Sequence, residues 1–247
     1  MNKSIIKNIK PLGFTWETQD PFLFCAYHRD QYPMGNSQMG VNHEALKGRN
    51  IGQDFNKKDG WSMYHGSEIP GFPYHPHRGF ETITINKEGV VDHSDSLGAA
   101  GRFMAGDVQW MTAASGVLHK EFHETEWSKA GGEFQMVQLW VNLPAKDKMS
   151  SPKYQAISNA TIPKVIVPNN GGLVEVIAGN YNEHKGAAFT FSPINMLNVL
   201  ACWRPRCFPT EEEIRPRTFP KRLRNVSRAL LFVNDYGYET QAVETFC

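Results

Sequence analysis

Two histidines stand two residues apart in Gly71-Phe72-Pro73-Tyr74-His75-Pro76-His77-Arg78-Gly79-Phe80-Glu81. In a β-strand, side chains at i and i+2 leave the same face. His75 and His77 can therefore address one point, and Glu81, Ile83 and Ile85 carry the same parity onward. A second pair follows in Gly116-Val117-Leu118-His119-Lys120-Glu121, where His119 and Glu121 share a face. Divalent first-row metals take imidazole and carboxylate ligands, and three histidines with one carboxylate leave positions open in five- or six-coordinate geometry. Open positions admit water, dioxygen or a substrate oxygen. A divalent ion held by His75, His77, His119 and Glu121 keeps one net positive charge. Such a site favours an anionic partner such as a phenolate or enolate.

Glu81 competes for a place in this set. It could be a ligand instead of Glu121, or an outer carboxylate that orients a histidine N–H. The plainer reading is a barrel-end carboxylate paired with Arg78 or Arg102. His123 shares parity with Glu121 but falls where the strand should end, so it is expected to be exposed. His65 and His93 have no partner at ligand spacing and read as bystanders. Trp110 reads more naturally as core than as a pocket wall. Gln138 and Trp140 share a face of the 134–143 strand and either line the same cavity or simply pack. Ser115 lacks the G-x-S-x-G setting of a nucleophile elbow, and no glycine-rich phosphate loop is present.

The elements that must position these residues read as strands. Fifteen Pro and twenty-one Gly among many short apolar runs describe a turn-rich, all-β chain. Lys87-Glu88-Gly89, the Gly-Ala-Ala-Gly run at 98–101 and Gly106-Asp107 are turn signals between strands at regular spacing, as in a sandwich or barrel. Residues 30–60 are polar, glycine-punctuated and without sustained period. They read either as a loop folded over a site or as a plain surface connection. Residues 1–145 are expected to form a barrel carrying the metal site. Residues 146–200 are a connector and the start of a second barrel. From 201 to 247 the texture changes: seven of eleven Arg but only one of fifteen Lys lie there, strand alternation disappears, and the second barrel is expected to be incomplete or altered.

A net charge of +1 argues against a nucleic-acid surface spread over the whole fold. No stretch of about 18 apolar residues marks a membrane helix, and the basic N-terminus lacks the apolar core of a secretory signal. Cys25, Cys202, Cys207 and Cys247 form neither a metal-like cluster nor a disulfide framework, the pattern of a reduced cytoplasmic protein.

At the ligand segments the sequence resembles the pirin family of the cupin superfamily. The likeness runs through Gly71–Thr82, Gly106-Asp107-Val108-Gln109-Trp110-Met111-Thr112-Ala113, Gly116–Glu121 and Gln138-Leu139-Trp140-Val141-Asn142-Leu143-Pro144. Asp20-Pro21-Phe22-Leu23 and Thr190-Phe191-Ser192-Pro193-Ile194-Asn195 extend it over roughly residues 11–199. The resemblance implies a bicupin (jelly-roll) fold with one metal in the first barrel. It implies non-haem Fe(II), with other divalent first-row metals as substitutes, held by His75, His77, His119 and Glu121. The choice of Glu121 over Glu81 comes from this resemblance. It implies quercetin 2,3-dioxygenase activity on a small, anionic flavonol-like substrate, with Glu121 as the catalytic residue. The alternative implied role is a non-enzymatic, metal-dependent transcriptional co-regulator acting through a protein partner. A monomer without direct nucleic-acid or membrane contacts is the expected state.

Overall fold

The structure is a computed structural model describing residues 13–168, 172–202, 226–234 and 239–245. Its strands are β1 (Thr15–Trp16), β2 (Phe22–Tyr32), β3 (Gly71–His77), β4 (Phe80–Glu88), β5 (Val90–Asp95), β6 (Ala100–Met104), β7 (Val108–Thr112), β8 (Val117–His123), β9 (Gly132–Asn142) and β10 (Lys153–Ile157). They continue with β11 (Lys164–Val167), β12 (Gly172–Ala178), β13 (Asn180–Tyr181), β14 (His184–Lys185), β15 (Ile194–Cys202), β16 (Val226–Asn234) and β17 (Glu239–Thr245). Short helices α1 (His43–Leu46) and α2 (Thr125–Ala130) lie between them. The all-β expectation holds, and among the described residues no helix is long and apolar enough to cross a membrane.

Residues 20–159 form one compact unit, and the described residues outside that span form a second. In the first unit, one sheet carries the order β2-β9-β4-β7-β10 and another the order β3-β8-β5-β6. β10 lies beyond residue 145 and pairs antiparallel with β7. In the second unit the order is β11-β12-β15-β16-β17. Within 201–247, β16 and β17 are strands, while 203–225, which holds the stretches without strand alternation and most of that segment's Arg and Pro, falls outside the described residues.

The central strand β4 is buried along Glu81–Asn86 on both faces. Its alternation of Thr with Ile therefore separates two covered faces, rather than core from water. Ile83 pairs with Trp110 on β7 and Leu139 on β9, and all three are fully buried on one face. Thr84 pairs with Gln109 and Gln138 on the other face, which looks across at the second sheet.

The 33–70 excursion is tied down by Arg49, whose side chain is fully buried. Its Nη1 donates to Asp54 Oδ2 at 2.7 Å and to the Trp61 carbonyl at 3.0 Å, and its guanidinium lies 3.7 Å from the centre of the Trp61 ring. Trp61 and Met63 then join Tyr32, Val41, Val91, Phe134 and Met136 in a buried cluster. Of the two readings of residues 30–60, a purely solvent-exposed connection is the one that does not hold.

Candidate metal centre

β3 and β8 pair antiparallel with His75 opposite His119. This register places the first histidine pair against the second. The approach requires glycine at the start of β3. Gly71 has φ 135°, and a Cβ there would stand 2.5 Å from the Glu121 carbonyl oxygen.

His75, His77 and His119 each bring a ring nitrogen into one group spanning no more than 4.8 Å. His75 Nδ1 lies 2.7 Å from the Pro73 carbonyl oxygen, so Nδ1–H donates there and Nε2 remains for the site. Nε2 of His77 and Nε2 of His119 are buried and accept no hydrogen bond. Buried polar atoms are almost always satisfied, so two orphaned nitrogens beside a third imidazole fit a cation well. Burial, with His75 as the second cause, lowers the His77 pKa to about 4. Burial first, then the neighbouring histidines, lowers that of His119 to about 2. At neutral pH both rings are neutral and offer lone pairs. Trp140 packs edge-on against His77 with ring centres 5.3 Å apart, so it faces the site.

Glu121 is fully buried and enters through a second group of ligand atoms, again within 4.8 Å, which shares His119 and adds His93. Its Oε1 accepts from Gln109 Nε2 at 2.7 Å and Thr84 Oγ1 at 3.5 Å, and its Oε2 from Gln138 Nε2 at 3.2 Å. Desolvation raises its pKa to about 7, against the lowering effect of those three donors. Gln138 and Trp140 thus line the site rather than merely packing.

Three expectations are corrected. Glu81 takes no part: it is fully buried on the opposite face of β4, where its Oε1 accepts from Trp110 Nε1 at 2.9 Å and Thr112 Oγ1 at 2.7 Å. It is paired with neither Arg78 nor Arg102; Arg102 holds Asp92 instead. The parity that linked it to His77 ends at Gly79, whose φ of 78° turns the chain from one sheet into the other. His123 is buried among Tyr32, Trp127 and Phe134, not exposed, because β8 continues through it. His93 is no bystander. β5 pairs with β8 so that His93 lies opposite Glu121 and Asp95 opposite His119. The sequence signal for it was His93-Ser94-Asp95, a third i, i+2 pair of the same kind as the other two. His65 stays outside both groups, packed on Tyr64 and Phe72, and Trp110 is core.

Comparison with known proteins places the chain in a family. The pirin family model matches residues 8–141. A Pseudomonas aeruginosa protein that bears quercetin 2,3-dioxygenase as a provisional name is 54% identical over 129 residues, covering 52% of this chain and 45% of that protein. Pirin-1 of Arabidopsis thaliana is 44% identical over 128 residues, covering 52% of this chain and 42% of the relative. Each match thus covers less than half of the relative's own length. A crystal structure of quercetin 2,3-dioxygenase from Acinetobacter baumannii superposes with a TM-score of 0.59 at 36% identity, over 86% of this chain and 56% of the other. With the family model matching more than half of its 247 residues, on the segments that build the histidine cluster, the chain belongs to the pirin family.

Proposed function

We propose that the chain is a metal-dependent oxidoreductase in which His75, His77, His119 and Glu121 hold a divalent ion, iron(II) before other first-row metals. On this reading a flavonol-type substrate reacts with dioxygen. The observation that carries the reading is the pair of orphaned, buried Nε2 atoms of His77 and His119 converging with His75. The likeness to proteins named for quercetin dioxygenation supports the substrate class.

When bound, such an ion supplies a Lewis-acid position for an anionic oxygen and a route for electrons between substrate and dioxygen. The residues supply the rest. Glu121 completes the donor set. While bound to the ion it stays ionised; only if released from the ion would it serve as a base, since burial alone raises its pKa to about 7. Gln109, Gln138 and Thr84 hold its two oxygens in place, so the carboxylate is oriented before substrate arrives. Trp140 lies beside His77, and Phe80 and Phe24 each pack tilted against Trp140, which gives the site an aromatic flank suited to a planar ring.

Anaerobic addition of quercetin to the iron-loaded protein should shift the flavonol absorbance, and admission of air should then consume oxygen. An iron-loaded protein that gives neither change overturns the enzymatic reading and leaves the regulatory role, which needs the same ion without turnover.

A further inference from the structure

His93 has no part in the donor set above, yet it is buried and its Nδ1 lies 3.3 Å from Nδ1 of His119. Two ring nitrogens at that distance must be one donor and one acceptor. Two N–H groups would clash, and two lone pairs would leave both rings unsatisfied in a dry site. On the far side of the ring, His93 Nε2 lies 3.6 Å from Asp95 Oδ2, within ion-pair range but beyond a hydrogen bond. Asp95 is itself held, since its Oδ1 accepts from the backbone N–H of Leu97 at 2.8 Å and of Ala99 at 3.0 Å. Tyr154 stacks on the His93 ring with centres 4.9 Å apart and planes 21° from parallel, which fixes the plane of the imidazole.

With His119 ligating through Nε2, these contacts permit one consistent placement of protons. A neutral His119 that ligates through Nε2 carries its proton on Nδ1. His93 must then accept at Nδ1 and carry its own proton on Nε2, the edge that faces the Asp95 carboxylate. The reverse arrangement puts a proton on His119 Nε2 and blocks the lone pair that the site needs.

We propose that His93, backed by Asp95 and clamped by Tyr154, is a positioning residue that holds His119 in the tautomer able to bind metal. The inference rests on the reading of His119 as a ligand. It assigns no ion to His93 itself.

Zn(II) alone, added to the full chain, tests it. Long-range proton–nitrogen correlation spectra of the zinc-loaded wild type should show His93 protonated at Nε2 and bare at Nδ1, with His119 protonated at Nδ1. A His93 ring protonated at Nδ1, or ligated to zinc, overturns the proposal, and this measurement needs no variant to fold. His93→Phe keeps the ring stacked on Tyr154 but removes the acceptor, and should weaken zinc binding about 10–100-fold. His93→Gln can accept through Oε1 and should recover most of that loss. Wild-type affinity in His93→Phe, or equal loss in both variants, overturns the proposal while leaving the metal site intact. Wild-type affinity in His119→Ala overturns the metal-site reading itself, and the inference with it.

Discussion

Gln109 and Trp110, neighbours on β7, each hold a buried glutamate, and the two glutamates lie on opposite faces of the sheet. Gln109 donates to Glu121 at 2.7 Å, and Trp110 donates to Glu81 at 2.9 Å. One glutamate stands beside the histidine cluster and the other is part of a covered, largely apolar face. The two carboxylates should therefore respond differently to substitution.

Glu81→Leu should leave metal content unchanged and cost stability. It strands the Trp110 N–H and the Thr112 hydroxyl in a buried setting, for a loss of about 1–3 kcal/mol per unsatisfied group. Elemental analysis and urea denaturation of the same preparation separate the two effects. A loss of metal with unchanged stability would return Glu81 to the site.

Gln109→Leu should act through Glu121. Removing the donor at 2.7 Å takes away the first-ranked of the hydrogen bonds that oppose its desolvation, so the Glu121 pKa rises further. Metal affinity should fall about 10–100-fold, as expected for an outer partner of a ligand. Chelator competition measures it, and Gln138→Leu should have the same sign.

His77→Ala and His119→Ala should each lower metal affinity by more than the about 10–100-fold that an outer partner costs, while the β-sheet circular dichroism persists. Nε2 of each ring is orphaned in the fold, so its loss breaks no hydrogen bond there; His119→Ala also removes the Nδ1 contact to His93 at 3.3 Å. Full metal occupancy in both variants, by elemental analysis, would refute the assignment of ligands.

Arg49→Ala should destabilise the first unit by about 3–5 kcal/mol, because Asp54 is left buried without its cation. The loss should appear in urea denaturation, with earlier proteolytic cleavage between residues 33 and 70. Arg49→Lys should rescue little, since one ammonium cannot make the donations to Asp54, Lys58, Trp61 and Ala45 in that geometry.

His28 should make the fold acid-sensitive. Burial first, and then the charges of His65, Lys57 and His123, lower its pKa from 6.5 to about 3. Its folded value is depressed, so the unfolded state binds more protons between those values. The stability it contributes is complete above pH 6.5 and is lost as pH falls toward 3, at up to about 1.4 kcal/mol per pH unit. Asp30 on the same strand acts oppositely: its pKa is raised from 3.8 to about 6, chiefly by desolvation, so its contribution is lost as pH rises through that range. His28→Phe should flatten the acid limb of the urea-midpoint curve relative to wild type. An unchanged limb would mean that His28 is protonated in the fold.

The sequence by itself determined the two same-face pairs, because i, i+2 alternation is a local property of an extended chain. His75 with His77, and His119 with Glu121, needed no long-range information. It also determined the all-β class, through glycine turns at regular spacing. Tertiary structure alone decided which other polar residues join them. Glu81 was lost because a turn at Gly79 sends β4 into a different sheet from β3, and parity does not survive a change of sheet. His93 was gained because β5 pairs with β8 in a register that no local pattern encodes, and that register sets Asp95 and His93 beside His119 and Glu121. Gln109 read only as part of a strand, and Gln138 as either lining the cavity or packing, until both faces of β4 proved to be covered. Which covered face looks onto the histidines follows only from how the two sheets oppose each other.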